Sequence, residues 1–168
     1  MNDPDDGVDD GHPVDLRCSV IVFRGDSVLL CRRTDRVDDF WVLPGGTPRK
    51  GEGIAAAARR EVAEETGLQA STEGVAFVLE ASSWDRAHHR MEVVFLGKDE
   101  TPAADPQRVE AHLEPQFVPL ADLDTIALRP PIAGYIRGFA RSRRAVAPYL
   151  GNLWRADSSD GVAAATEV

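Results

Sequence analysis

Apolar and polar positions alternate from Val14 to Phe23. Val14, Leu16, Cys18, Val20 and Val22 share one parity, while Asp15, Arg17 and Ser19 take the other. A period of two sends successive side chains to opposite faces, so the segment predicts a strand with one buried face. Arg24-Gly25-Asp26 supplies turn residues, and Ser27–Cys31 predicts a second strand that closes a hairpin. A polar loop over Arg32–Phe40 follows, then a short apolar piece, Trp41-Val42-Leu43, leading into Pro44-Gly45-Gly46. The stretch Gly53–Thr66 is rich in Ala, Arg and Glu and predicts a helix, with Gly67 where a left-handed C-cap belongs. Val75–Ala81, Met91–Leu96 and Gln116–Leu120 predict three further strands, and Ala121–Leu123 a helical turn. Pro130-Pro131 is expected to open a last helix running to about Arg141, because proline is tolerated in a first turn. Strands bracketing one central helix, with a second helix near the C-terminus, predict an α/β fold with a mixed sheet between helical layers.

A chain of 168 residues accommodates one domain with its own core. The Asp- and Gly-rich residues 1–13 and the small, polar residues 156–168 bury little apolar surface, so disorder is expected there and a folded domain over 14–155. Tyr149, Leu150, Leu153 and Trp154 form an apolar cluster before that tail, suited to packing on the domain or on a second subunit. A homodimer is therefore left open. No apolar run reaches the roughly 18 residues of a membrane span, and no hydrophobic stretch follows the acidic start, so a cytoplasmic protein is expected. Cys18 and Cys31 lie in apolar segments without metal-ligand spacing and are expected to be buried free thiols.

The net charge of −9 is mostly terminal. Five aspartates in residues 1–13 and three acids after Arg155 leave 20 acidic against 19 basic residues in between. A near-neutral body argues against a broad nucleic-acid surface, which needs a basic excess. It says little about a small substrate.

The chemistry concentrates in residues 46–68. Gly46 is followed by five residues, Glu52, seven more residues, and then Arg60-Glu61-Val62-Ala63-Glu64-Glu65-Thr66-Gly67-Leu68. At three- and four-residue spacing, Glu61, Glu64 and Glu65 project from neighbouring positions of a helix and repel one another by a few tenths of a kcal/mol per pair (~0.2–0.5). A divalent cation offsets that repulsion, because carboxylate oxygens are what Mg²⁺ and Mn²⁺ prefer. The alternative is a solvated acidic stripe with Arg59 and Arg60 compensating it. The Gly45-Gly46 turn favours the first reading, since glycines let a backbone approach a ligand closely.

This pattern is complete and resembles the Nudix box, with Val62 and Leu68 at its aliphatic positions and Trp41–Gly46 similar to the usual approach to it. A chance match in a chain of this length is on the order of 10⁻⁷. The resemblance implies an α/β/α sandwich and a pyrophosphohydrolase that uses Mg²⁺ or Mn²⁺ to cut the diphosphate bond of a nucleoside-diphosphate derivative. It implies cation binding by Glu61, Glu64, Glu65 and the Gly45 carbonyl, with Arg60 holding a box glutamate by a salt bridge. Gly46, Glu52 and Gly67 frame the box, and Glu52 has either a direct role or that of an acid favoured by a helix N-terminus. The base that activates water is Glu61 or a carboxylate of the later loop, for which Glu110 and Glu114 are candidates, Glu110 slightly ahead, with Glu100 behind them.

Outside the box, Arg49 and Lys50 make the loop more basic than the commonest form and suit either a phosphate contact or a solvated surface. Trp84, with Asp85, Arg86, His88, His89 and Arg90 beside it, suits either base stacking or covering the sheet. Arg32 and Arg33 follow the second strand and either reach substrate phosphates or stay on the surface. ADP-ribose-like compounds, nucleotide sugars, dinucleoside polyphosphates and normal or oxidised nucleoside triphosphates all fit as substrates. Two further readings are a catalytically silent nucleotide sensor on the same fold and RNA 5′-end processing. The intact box argues against the sensor, and the near-neutral body against RNA.

Overall fold

A computed structural model describes residues 13–35, 39–82, 89–142 and 148–153. In chain order the elements are β1 (Asp15–Arg24), β2 (Ser27–Arg33), β3 (Phe40–Val42), β4 (Gly45–Gly46), α1 (Ile54–Thr66), β5 (Ala70–Ser82), β6 (His89–Asp99), β7 (Leu113–Pro119), a single 3₁₀ turn (Leu120–Asp122), α2 (Ala133–Ser142) and β8 (Tyr149–Asn152). The sheet runs β3-β2-β1-β6-β5-β8, with β4 added to β1 and β7 to β2. It is mixed, as expected: β1 and β6 are parallel, as are β5 and β8, and the other pairs are antiparallel.

One topological feature positions the site. β1 and β2 form the expected hairpin around Gly25, pairing at Phe23–Val28 and Arg24–Ser27, and then part. The two-residue β4 enters the gap and pairs with β1 at Cys18–Gly46 and Ser19–Gly45. The two glycines are thus wedged where the sheet forks, facing the helix that follows them.

Two apolar layers hold the helices. Cys18, Val20, Val22 and Leu29 pack with Ala57, Ala58 and Val62 of α1 on one side. Ile21, Leu30, Leu79 and Val94 pack with Ile136 and Phe139 of α2 on the other. Each fully buried Val, Leu or Phe contributes about 1.5–3 kcal/mol, and the two alanines let α1 lie close to the sheet. The expectation of one buried face for β1 is corrected here: Ser19, Val20, Ile21 and Val22 are all buried, because helices cover both faces.

Several boundaries also differ from expectation. β5 begins at Ala70 rather than Val75, because bulges at Thr72/Gly74 and Val75/Phe77 break the alternation that marks a strand. β6 and β7 are likewise longer than their apolar cores. The last helix starts at Ala133, not at the prolines. Residues 127–129 run beside β3 instead, with the Trp41 N–H donating to the Ala127 carbonyl and the Arg129 N–H to the Trp41 carbonyl. Of the apolar C-terminal cluster, Tyr149 and Leu150 lie in β8 on this same domain, and Leu150 and Leu153 pack against the core. Both cysteines are free and buried. Among the described residues no helix is long and apolar enough to cross a membrane. The expectations for Trp84, Asp85, Arg86, His88, Trp154 and the two chain ends fall outside the described residues.

Candidate active site

α1 starts after Gly53 and ends on Gly67, whose φ of 71° is the left-handed conformation expected, with its N–H donating to the Ala63 carbonyl at 3.0 Å. That stop fixes Glu61, Glu64 and Glu65 in the last two turns. Glu65 points at the fork in the sheet. It is 8% exposed, and its Oε2 accepts the Gly45 N–H at 2.9 Å. The Cys31 thiol lies 4.0 Å from the same oxygen. Burial raises the Glu65 carboxyl to about 7; Arg17 and the Gly45 N–H oppose the rise, and the charges of Glu61 and Glu110 add to it. Burial, followed by the Glu65 charge, pushes the Cys31 thiol well above its ordinary value.

Glu61 lies over Gly46. A Cβ built on Gly46 would stand 2.5 Å from the Glu61 Cδ and Oε1, so only glycine leaves room for the carboxylate there. Gly45 is needed for a different reason. Its Cβ would meet the Cys18 carbonyl oxygen at 2.3 Å and the Ser19 Cα at 2.6 Å, both backbone atoms of β1.

Arg60 ties the acids together. Its Nε and Nη2 donate to the two oxygens of Glu52, each at 2.8 Å, while Nη1 donates to Glu61 at 2.6 Å and to Glu64 at 2.8 Å. These carboxylates hold its guanidinium charged well beyond the ordinary range. Glu52 also accepts the Arg49 N–H at 2.8 Å, and with Arg60 this lowers its pKa to about 2. Arg49 reaches Glu64 at 2.9 Å, at an exposed position. Glu52 therefore fixes the loop to the helix through Arg60, which is an indirect part in the site's geometry.

The loop between β6 and β7 is pinned to the end of α1: the Gln107 N–H donates to the Thr66 carbonyl at 2.8 Å, and the Glu100 N–H to the Gln69 carbonyl at 2.9 Å. This brings Glu110 within electrostatic reach of Glu65. Its partner among the described residues is His112, at 3.3 Å. Glu114 lies on β7, where it pairs with Arg108 at 3.1 Å and Arg32 at 3.5 Å. Arg32 also pairs with Asp39, and Arg33 with Asp35, so neither arginine joins the α1 carboxylates.

Sequence reasoning missed Arg17, Ser19 and Glu92. Their polarity reads as solvent-facing, yet Glu92 is 4% exposed and Ser19 fully buried. The missing signal is tertiary, since β1 and β6 pair across more than seventy residues.

The donor chemistry fits a hard divalent cation: three carboxylates and nearby backbone carbonyls, all oxygen. A cradle that one methyl group would fill points the same way. Among the described residues no three acid, His or Cys side chains converge tightly enough to hold a metal as they stand. Arg60 donates to Glu61 Oε1 and Glu64 Oε2, and Arg49 to Glu64 Oε1.

The family model described as NUDIX domain matches residues 15–139. Among solved structures, the chain is similar to a Nudix hydrolase from Nitrosomonas europaea with TM-score 0.68 and 18% identity, covering 79% of this chain and 92% of that one. A MutT protein from Methanosarcina mazei Go1 gives TM-score 0.64 at 23% identity, covering 78% and 96%. An ADP-ribose pyrophosphatase from Streptococcus suis 89-1591 gives 0.61 at 20%, covering 83% and 98%. At these identities the structural likeness concerns the fold.

Proposed function

The chain belongs to the Nudix family, and from that premise we propose that it is a Mg²⁺- or Mn²⁺-dependent pyrophosphohydrolase cutting the diphosphate bond of a nucleoside-diphosphate derivative. One observation carries the reading. Two carboxylates on the last turns of α1 meet the Gly45-Gly46 wedge, Glu65 held by a backbone N–H and Glu61 filling the space a side chain would take, and Arg60 ties Glu64 to Glu61 beside them.

Glu61, Glu64 and Glu65 would hold the cation, with the Gly45 carbonyl as a further oxygen donor. When bound, the cation supplies charge for the diphosphate oxygens and lowers the pKa of a water. Arg60 keeps the Glu61 and Glu64 carboxylates side by side, which their mutual repulsion opposes, and Glu52 anchors Arg60. Glu110 acts as general base and takes the proton of the attacking water. Its charge reaches Glu65, and among the described residues its side chain is paired with His112 at 3.3 Å and not with an arginine. Glu61 fits that role less well, because Arg60 already donates to its Oε1. The products are a nucleoside monophosphate and the phosphorylated remainder.

ADP-ribose-like compounds and nucleoside triphosphates are favoured as substrates, since they suit one compact domain. A neighbour of the same fold described as an ADP-ribose pyrophosphatase is in keeping with the first of these classes. Location in the cytoplasm and action without a membrane or nucleic-acid partner belong to the same proposal. The test is replacement: Glu61→Gln and Glu65→Gln each abolish turnover while circular dichroism and thermal unfolding show a retained fold. Turnover surviving both changes would place the metal site elsewhere.

A further inference from the structure

Glu92 is a carboxylate buried in the middle of the sheet and has no part in the chemistry above. It accepts the Ser19 hydroxyl at 2.6 Å, and the Nε of Arg17 lies 3.5 Å from the same Oε1. The other end of Arg17 donates from Nη2 to the Leu43 carbonyl at 3.0 Å. Leu43 stands two residues before Gly45, whose N–H holds Glu65. A continuous chain of contacts thus runs from β6 through β1 to the glycine wedge and on to the buried carboxylate of α1.

Buried ion pairs seldom add net stability over a well-packed apolar pair, because desolvation offsets their attraction. What this one fixes is direction. Glu92 and Ser19 hold the guanidinium in one orientation, and the guanidinium holds a carbonyl of the segment that must aim the Gly45 N–H. Arg17 faces Glu92 across the β1–β6 ladder, and Ser19 faces Gly45 across the β1–β4 ladder, so the register sets both ends of the strut.

We propose that Arg17, braced by Glu92 and Ser19, is a positioning residue that holds the Leu43–Gly46 segment so that Gly45 aims Glu65 into the cation site. Its effect on the backbone is independent of any cation. Its effect on cation affinity rests on the reading under Proposed function. Groups that orient a ligating side chain typically change metal affinity by about 10–100-fold when removed.

The experiment uses the ¹⁵N-labelled full-length chain and the variants Arg17→Met, Arg17→Lys and Glu92→Gln, with Val118→Ala as a core control remote from the strut. Gly45 amide exchange is measured without metal, relative to amides of the β5–β6 ladder, and Mn²⁺ affinity is measured by electron paramagnetic resonance. Arg17→Met is expected to speed Gly45 exchange at least about tenfold and to weaken Mn²⁺ binding by about 10–100-fold. Arg17→Lys, which keeps the charge and one donor, should recover part of both, and Val118→Ala should change neither beyond about twofold. Should Arg17→Met not fold, Arg17→Lys and Glu92→Gln carry the same comparison with smaller shifts in the same direction. Gly45 exchange within about twofold of wild type in the Arg17 and Glu92 variants would overturn the proposal. Faster Gly45 exchange in a chain whose wild type binds no Mn²⁺ would uphold the strut and overturn the cation reading instead.

Discussion

Gly45 and Gly46 are adjacent, and alanine at each should fail in a different way. At Gly46 the new Cβ would stand 2.5 Å from the Glu61 Cδ, against an ordinary carbon contact of about 3.5 Å. The obstacle is the tip of a long side chain, so the carboxylate moves by about 1 Å and the backbone stays. Misplacing a reacting group by that distance costs about 10²-fold in rate, or about 2.7 kcal/mol of barrier. Stability should change by no more than about 1 kcal/mol, because the loss of glycine's freedom in the unfolded chain offsets part of the strain. At Gly45 the obstacles are the Cys18 carbonyl and the Ser19 Cα, at 2.3 and 2.6 Å, and a strand ladder cannot yield as a side chain does. Overpacking there should cost about 1–3 kcal/mol, which lowers the melting temperature by about 4–12 °C for a domain of this size. The assay is kcat on the preferred diphosphate substrate alongside thermal unfolding. Gly46→Ala should lose activity with its melting temperature held, while Gly45→Ala should lose both. Gly46→Ala retaining a third or more of wild-type kcat would refute the claim that the Glu61 position over Gly46 matters to the chemistry.

Two further outcomes follow from the site's charges. Glu110→Gln should lower kcat by about 10²–10⁴-fold, whereas Glu114→Gln, which removes only a partner of Arg108 and Arg32, should stay within a few-fold; the reverse order would move the base to β7. Glu52 has a folded pKa lowered to about 2 from an ordinary 4.5, so its pairing with Arg60 stabilises the fold above pH 4.5, and that contribution is lost as pH falls from there towards 2. Melting curves of wild type and Glu52→Gln should therefore differ by a constant amount above pH 5 and converge towards pH 2; a gap unchanged down to pH 2 would contradict the pairing.

What the sequence made legible is what is local. The α1 boundaries, the Gly67 cap and the carboxylate spacing depend on neighbours within one or two turns, and all emerged within a residue of expectation. The hairpin was legible for the same reason. β4 was not: two residues carry no periodicity, and its partner strand lies more than twenty-five residues away. The Arg17–Glu92 pair was hidden because alternation assigns polar residues of a strand to solvent, while here helices cover both faces of the sheet. Arg32 stood open between a phosphate contact and the surface, since sequence spacing does not show its partners; in the structure it pairs with Asp39 and Glu114. The role of Arg60 as a clamp on three acids combines both kinds of information. Glu64 was readable at i+4, whereas Glu52 required the loop to fold back onto the helix.

The most direct test of the central claim is release of monophosphate products from a panel of diphosphate compounds, with Mg²⁺ and then Mn²⁺, and with Glu65→Gln as control. The panel contains ADP-ribose, NADH, nucleotide sugars, normal and oxidised nucleoside triphosphates, and dinucleoside polyphosphates. The account predicts cation-dependent cleavage at the diphosphate of one clearly preferred compound, lost on chelation and in the control. No cleavage of any of them, together with tight cation-dependent binding of one, would contradict it and make the chain a nucleotide-binding protein on a hydrolase fold.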